Sequence, residues 1–208
     1  MPEKMDLFEA IYSQRAIRKF KPDPVPDELI RDLLEAATKS PSGANRQGWK
    51  FIVIRDADLK RELGGYYRRS WEVVYGAQAS APPPIHPRVK ASAAYLAEHI
   101  HEAPVLVLFC LEHDGSPSSM GRGGSIYPAV QNFLLAAVGL GLGSVLTSLH
   151  KRFEEEVKGL LGIPDNVETA ALLPVGFPAE GERYGPTRRD PVEQVTYWDR
   201  WGSGASAA

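Results

Sequence analysis

The chain has 208 residues, room for one domain or a pair of small ones, and at 43% hydrophobic it can bury a sizeable core. A formal charge of -2, from 24 basic and 26 acidic residues, gives no electrostatic reason to expect a nucleic-acid partner. The single cysteine, Cys110, excludes a disulfide framework and a thiolate metal cluster and suits a reducing cytoplasm.

The segment Met1-Pro2-Glu3-Lys4 has no apolar leader character. Residues 5–14 read as a helix, with Leu7, Phe8, Ile11 and Tyr12 at helical spacing. Pro22, Pro24 and Pro26 then enforce an extended link. A second helix begins near Asp27, with Leu29, Ile30, Leu33, Leu34 and Ala37 as its apolar stripe, and Pro41 and Gly43 stop it. Residues 49–54 are a short β-rich run. Residues 58–75 look helical and become aromatic late, at Tyr66, Tyr67, Trp71 and Tyr75. Those rings suit a core and a cover for an aromatic ligand equally. Residues 76–90, rich in Ala, Ser and Pro, read as a mobile loop, so 66–100 is expected to act as a lid or insert.

Residues 105–111 predict a buried strand and 114–125 a Gly/Ser-rich loop. Residues 126–140 form a helix too apolar all round for a surface position. Residues 144–149 are strand-like, 153–161 a short helix closed by Gly162 and Pro164, and 170–177 a strand stopped by Pro178. Residues 192–198 read as extended and aromatic, and 201–208 as a disordered tail. The runs 105–111 and 133–142 are too short or too glycine-broken to span a bilayer, so no membrane partner is expected. Interleaved strands and helices without a regular βαβ rhythm predict an α+β fold, with helices packed on a mixed sheet.

Two stretches carry the chemistry. Arg15 and Arg18 lie three apart, so a helical end would put both on one face. Their planar forks suit phosphate, although alone the pair also reads as a solvated helix end. In the turn Pro41-Ser42-Gly43-Ala44-Asn45-Arg46-Gln47, Pro41 and Gly43 are explained by helix termination. Ser42, Asn45 and Gln47 add donors and acceptors that can wrap the edge of a carbonyl-bearing ring. Gly139, Gly141 and Gly143 follow a helix and precede a strand, the reverse of a phosphate loop, and are read as helix termination. His99 and His101 are two apart, with no Cys or paired carboxylate to complete a metal set, so no metal site is expected. Cys110 sits in a buried-strand pattern, and no G-x-S-x-G elbow is present.

Four segments in order then resemble the FMN-dependent nitroreductase family, over Met5 to about Trp198. Gln14-Arg15-Ala16-Ile17-Arg18-Lys19-Phe20 is similar to R-R-S-x-R-x-F, and Ser40 to Phe51 to A-P-S-G-x-N-x-Q-P-W-x-F. Tyr127 through Gly143 resembles the central helix with its glycine end. Leu173 to Pro178, followed by Arg188-Arg189-Asp190-Pro191, resembles the C-terminal strand and its return.

The resemblance implies a three-layer sandwich with a mixed, mostly antiparallel sheet flanked by helices. It implies one FMN-binding domain over 1–200 and an intertwined, cytoplasmic homodimer with FMN at the subunit interface. Gln14, Arg15, Ala16 and Arg18 would hold phosphate, ribityl chain and pyrimidine edge. Pro41, Ser42, Gly43, Asn45 and Gln47 would come from the neighbouring subunit's turn. Leu146, Thr147 and Ser148 would pass near the ring's N5 side, and Arg189 would return to the phosphate. NAD(P)H would be the reductant and a nitroaromatic, quinone or similar small flat molecule the acceptor, by a ping-pong route. Hydride transfer carried by the flavin needs no side-chain acid or base, so no catalytic side chain is expected. Gln14 stands where the family has arginine, Ala16 where it has serine and Gly48 where it has proline. A reductive dehalogenase branch, with Glu72, Tyr75 and Lys90 as lid groups, and a non-catalytic flavin binder are the alternatives.

Overall fold

The computed structural model describes residues 5–76, 79 and 85–203. The Pro82–Pro84 run expected to be a mobile loop, and the tail from 204 onward, lie outside the described residues.

Alternating side chains on one strand build two cores. Strand β2, Val105–Glu112, is buried from Val105 to Leu111. Val105, Val107, Phe109 and Leu111 enter one apolar cluster, whereas Leu106, Leu108 and Cys110 enter the other. The sheet therefore needs cover on both faces. One face takes helices α2 (Asp27–Thr38) and α6 (Tyr127–Gly139). The other takes α3 (Ala57–Tyr75), α4 (Pro87–His99) and α7 (Glu154–Leu161). The result is a three-layer α+β sandwich.

Four strands are paired among the described residues, in the order β1-β2-β4-β3. Strand β1 (Trp49–Ile54) pairs with β2, β2 with β4 (Val167–Gly176), and β4 with the two-residue β3 (Gly143–Ser144). All three pairings are antiparallel. Phe133 of α6 meets Phe109 edge-on at 5.3 Å and 88°, which anchors the apolar helix at the sheet centre.

Several expected elements are placed differently. Helix α1 (Leu7–Ser13) is capped by the Asp6 carboxylate and stops at Gln14, which is extended. Arg15 and Arg18 thus lie in an extended segment and share no helical face. Residues 87–90, expected to end the loop, instead open helix α4 (Pro87–His99). Pro87 occupies its first turn, where the missing N–H leaves nothing unpaired, and His86 caps it. The 114–125 loop contains the single turn α5 (Met120–Gly123), capped by Ser119. Residues 144–149 are not a strand. Beyond Ser144, only Thr147 bridges to Leu172, and Leu149–Phe153 is a 3-10 turn leading into α7. Residues 192–198 are not extended either, since Val192–Gln194 forms a 3-10 turn. Tyr67 and Trp71 are core residues, with Tyr66 and Tyr75 packed at its margin.

The 14–20 segment lies against the β3 edge through Ile17, whose N–H donates to Ser144 O at 3.1 Å. A Cβ on Gly143 would meet Ile17 Cγ2 at 2.5 Å and Ile17 Cβ at 2.8 Å. Ile17 is 1% exposed and cannot step aside cheaply. Gly143→Ala should therefore destabilise the fold by about 1–3 kcal/mol, measured by chemical denaturation. A variant of native stability would show that this approach is looser than described.

Candidate functional site

The expected site residues fall into two groups. The first group gathers along the β3 edge. Thr147 is held by its hydroxyl, which donates to Leu172 O at 2.6 Å, leaving Leu146 and Ser148 exposed on either side. The 178–185 stretch runs back over this edge. Ala179 N–H donates to Lys19 O at 3.0 Å, and Tyr184 Oη donates to Leu142 O at 3.0 Å. Gln14, Ala16 and Arg18 are half-buried, and Arg15 is exposed. Burial lowers the Arg18 pKa from its ordinary value; Tyr67 and Glu182 nearby oppose that, and Arg15 adds to it. Burial pushes the Tyr67 phenol up to about 12, against the neighbouring Thr147 hydroxyl and Arg18 charge.

Arg189 is exposed, and its Nη1 donates to Arg188 O at 2.9 Å. Among the described residues, Arg15, Arg18 and Arg189 take part in no ion pair with a carboxylate. A half-buried guanidinium in no ion-pair contact among the described residues suits an anionic ligand, because its charge is partly dehydrated and Glu182 nearby compensates it only at a distance. The donor set therefore fits a phosphate and a carbonyl-bearing ring.

The second group is the turn at 41–47. Ala44, Asn45 and Gln47 all have positive φ, at 50°, 53° and 52°. Three such non-glycine residues together store strain of the kind found at ligand clamps. Internal bonds over-determine the turn: Gln47 N–H donates to Ser42 Oγ at 3.0 Å, and Gln47 Nε2 to Asn45 Oδ1 at 3.3 Å. Gly43 N–H donates to Ser125 Oγ at 3.1 Å, and Arg46 pairs with Asp114 at 3.7 Å. Ser125 lies 82 residues away, so no local sequence signal points to it. Ser42 and Gly43 line a 390 Å³ cleft, while Pro41, Asn45 and Gln47 are exposed.

A 500 Å³ cavity adjoins that cleft, lined by Tyr127, Arg122, Lys151 and Glu168 among others. Its charges are already compensated: Arg122 pairs with Glu168 at 3.0 Å, and Lys151 with Glu168 at 3.1 Å and Glu154 at 3.0 Å. Among the described residues, no group of three or more His, Cys, Asp or Glu could hold a metal ion.

The two groups do not meet within one chain. Ser144 pairs with Val175, which pairs with Val105, whereas Trp49 after the turn pairs with Leu111. They sit on opposite edges of the sheet, three strand spacings or about 14 Å apart. They also sit at opposite ends of β2, six residues or about 20 Å apart.

Comparison with known proteins places this geometry among relatives. The nitroreductase family model matches residues 11–177. The NADH dehydrogenase of Thermus thermophilus is 31% identical over 93% of this chain and 96% of its own length. Iodotyrosine deiodinase 1 of Rattus norvegicus is 27% identical over 91% of this chain and 68% of its own length. A solved structure of oxidised iodotyrosine deiodinase bound to FMN and 3-iodo-L-tyrosine superimposes with a TM-score of 0.72. It is 27% identical and covers 92% of this chain and 100% of that one.

Proposed function

The chain belongs to the nitroreductase family, a family of oxidoreductases, and we propose that it binds FMN and uses NAD(P)H to reduce small flat acceptors such as nitroaromatics or quinones. The observation that carries this reading is the separation of two groups: arginines in no ion pair among the described residues at one corner of the sheet, and a strained polar turn at the other. A homodimer that sets one corner against the partner's opposite corner completes two sites.

The surface supports pairing. Helix α1 exposes Leu7, Phe8, Ile11 and Tyr12, the last at 68%. A 450 Å³ groove beside it is lined by Leu7, Ala10, Leu135, Ala136 and Leu140. The C-terminal stretch exposes Val192, Val195, Trp198 and Trp201, the last at 91%. Exposed apolar side chains grouped in this way support the pairing.

In the proposed site, Arg15 and Arg189 hold the phosphate, with Gln14 and the backbone at Ala16 beside them. Arg18 would lie at the pyrimidine edge, where a fixed cation would favour reduction. Pro41, Ser42, Gly43, Asn45 and Gln47 of the second subunit close over the ring edge. Leu146, Thr147 and Ser148 would pass near its N5 side. Bound FMN would supply the redox chemistry, accepting a hydride from NAD(P)H and passing it to the acceptor in a second half-reaction. The chain's own work is orientation and charge, so no side-chain acid or base enters the scheme. Residues 1–200 act as one domain, with 66–100 contributing the cover. A cytoplasmic location fits the single reduced cysteine, and among the described residues no helix is long and apolar enough to cross a membrane.

Likeness to the deiodinases favours a second reading, reduction of halogenated aromatics. Its lid groups are poorly placed for that: Glu72 and Lys90 are exposed, and Tyr75 stacks on Trp71 at 4.6 Å.

The test is spectroscopic. Protein incubated with FMN and desalted should keep the visible flavin band. NADH or NADPH should bleach it without oxygen, and a nitroaromatic or quinone should restore it. Colourless protein would end the FMN assignment, and a bound flavin inert to both nicotinamides would leave a binder without this activity. Recolouring by iodotyrosine alone would favour the dehalogenase reading.

A further inference from the structure

Helix α4 packs directly on the segment that carries the arginines. Ser92, Tyr95 and His99 lie at i, i+3 and i+7 of α4, along one face. Arg18 Nη1 donates to Ser92 Oγ at 3.5 Å. Lys19 Nζ lies 4.6 Å from the Tyr95 ring centroid. The same ring stacks on His99 at 4.1 Å and 11°. His99 is held in that pose by its Nδ1, 2.8 Å from Tyr95 O. Ala16 and Phe20 pack into the same apolar cluster as Leu96 and Ala97 of α4. The segment is thus clamped between two walls, the β3 backbone at Ser144 and the Ser92/Tyr95 face of α4.

The contacts come in register. Successive residues Arg18 and Lys19 meet successive turns of α4 at Ser92 and Tyr95, so sliding or tilting the helix moves both cations together. A backbone bond fixes Ile17, but among the described residues no hydrogen bond from the β3 side reaches the Arg18 guanidinium. Within the described structure Ser92 supplies its side-chain hydrogen bond, and Tyr95 keeps the neighbouring residue seated.

We propose that Tyr95 and Ser92 are positioning residues for the cofactor, holding Lys19 and Arg18 so that the Arg18 cation is fixed before FMN arrives. The inference rests on the FMN reading above. Its consequence is reciprocal coupling: a cofactor that engages Arg18 orders α4, and an acceptor or mutation that displaces α4 weakens the hold on the cofactor.

The ring and its bulk can be separated. Tyr95→Phe keeps the π face, whereas Tyr95→Leu keeps apolar volume and loses it. FMN affinity is read from flavin fluorescence, the midpoint potential from anaerobic titration, and α4 order from amide exchange of residues 87–99. Tyr95→Phe should match the native protein. Tyr95→Leu should bind FMN roughly two- to fivefold more weakly, the range of a cation–π contact at an accessible site. Its flavin potential should be more negative, and Ser92→Ala should move the potential in the same direction. In the native protein FMN should slow α4 exchange, a readout that needs no variant to fold. Native affinity and potential in Tyr95→Leu, or native α4 exchange indifferent to bound FMN, would overturn the inference while leaving the flavoprotein intact. Native protein that takes up no FMN would instead remove the parent reading.

Discussion

Replacing Arg18 with alanine should weaken FMN binding by roughly ten- to a hundredfold, the range for losing a charge-assisted hydrogen bond of about 1.5–3 kcal/mol. Its half-buried position is why the effect is large. The guanidinium has already lost part of its hydration, and among the described residues it has no carboxylate within ion-pair distance. Its attraction for a ligand is less screened than that of an exposed group. Arg15 is exposed, so Arg15→Ala should fall short of Arg18→Ala in a fluorescence titration. Arg18→Lys should recover part of the loss, because it restores charge but not the planar fork. Arg189→Ala should also strip affinity; unaltered binding would remove Arg189 from the phosphate site. Equal affinity of Arg18→Ala and the native protein would show that the ligand lies elsewhere.

The second large effect concerns stability and pH. His150 is 0% exposed, and its Nε2 lies 3.2 Å from Thr169 Oγ1. That hydroxyl donates to Glu154 Oε1 at 2.7 Å, so it can only accept from Nε2–H. Nδ1 is then a bare acceptor, and it has no hydrogen-bond partner among the described residues. Burial pushes the His150 pKa from 6.5 to about 4; the Lys151 charge pushes the same way and Glu154 opposes it. The folded state therefore resists the proton that the unfolded chain takes up below pH 6.5. The group's contribution is complete above that value and is lost as pH falls towards about 4. The loss amounts to about 3 kcal/mol, because each tenfold difference in proton affinity between folded and unfolded chain is worth about 1.4 kcal/mol. Glu154 and Glu168 have pKa values below the ordinary carboxylate range, and their contributions fall away at still lower pH. The difference between native protein and His150→Leu isolates the imidazole. Denaturant unfolding between pH 7 and pH 4 should show a steeper loss in the native protein, whatever the variant's absolute stability. Parallel pH profiles would contradict a buried neutral His150.

The layered architecture was legible because its signals are local. The unbroken apolar run at 105–111 needs cover on both faces, and Phe133 and Leu33 show the period of the helices that supply it. Proline misled at Pro87, where the ring stops a helix from the middle but starts one at its first turn. Strand character at 144–149 failed for a tertiary reason: Gly143 and Ser144 finish the pairing with β4, and the chain then turns into α7. Among the candidate site residues, the sequence motifs mark Arg18 and the 42–47 turn, but not what holds them. Ser92, Tyr95 and Ser125 are 74, 76 and 82 positions from the groups they touch, since 92 minus 18, 95 minus 19 and 125 minus 43 give those spacings. Such contacts have no period or motif to betray them. The separation of the two groups of candidate site residues is likewise a property of strand order, visible only once β1 and β3 are known to be opposite edges.

Mixed dimers test the composite site most directly. One chain would carry Arg18→Ala and the other Asn45→Ala with Gln47→Ala, co-expressed with different tags and purified through both. If each cofactor site draws its cation from one copy and its turn from the other, the mixed pair has one site with every lesion and one with none. It should then regain a single high-affinity FMN, reducible by a nicotinamide, that neither parent homodimer holds. If flavin affinity in the mixed pair stays at the level of the weakened parents, every site was built from one polypeptide and the account is wrong.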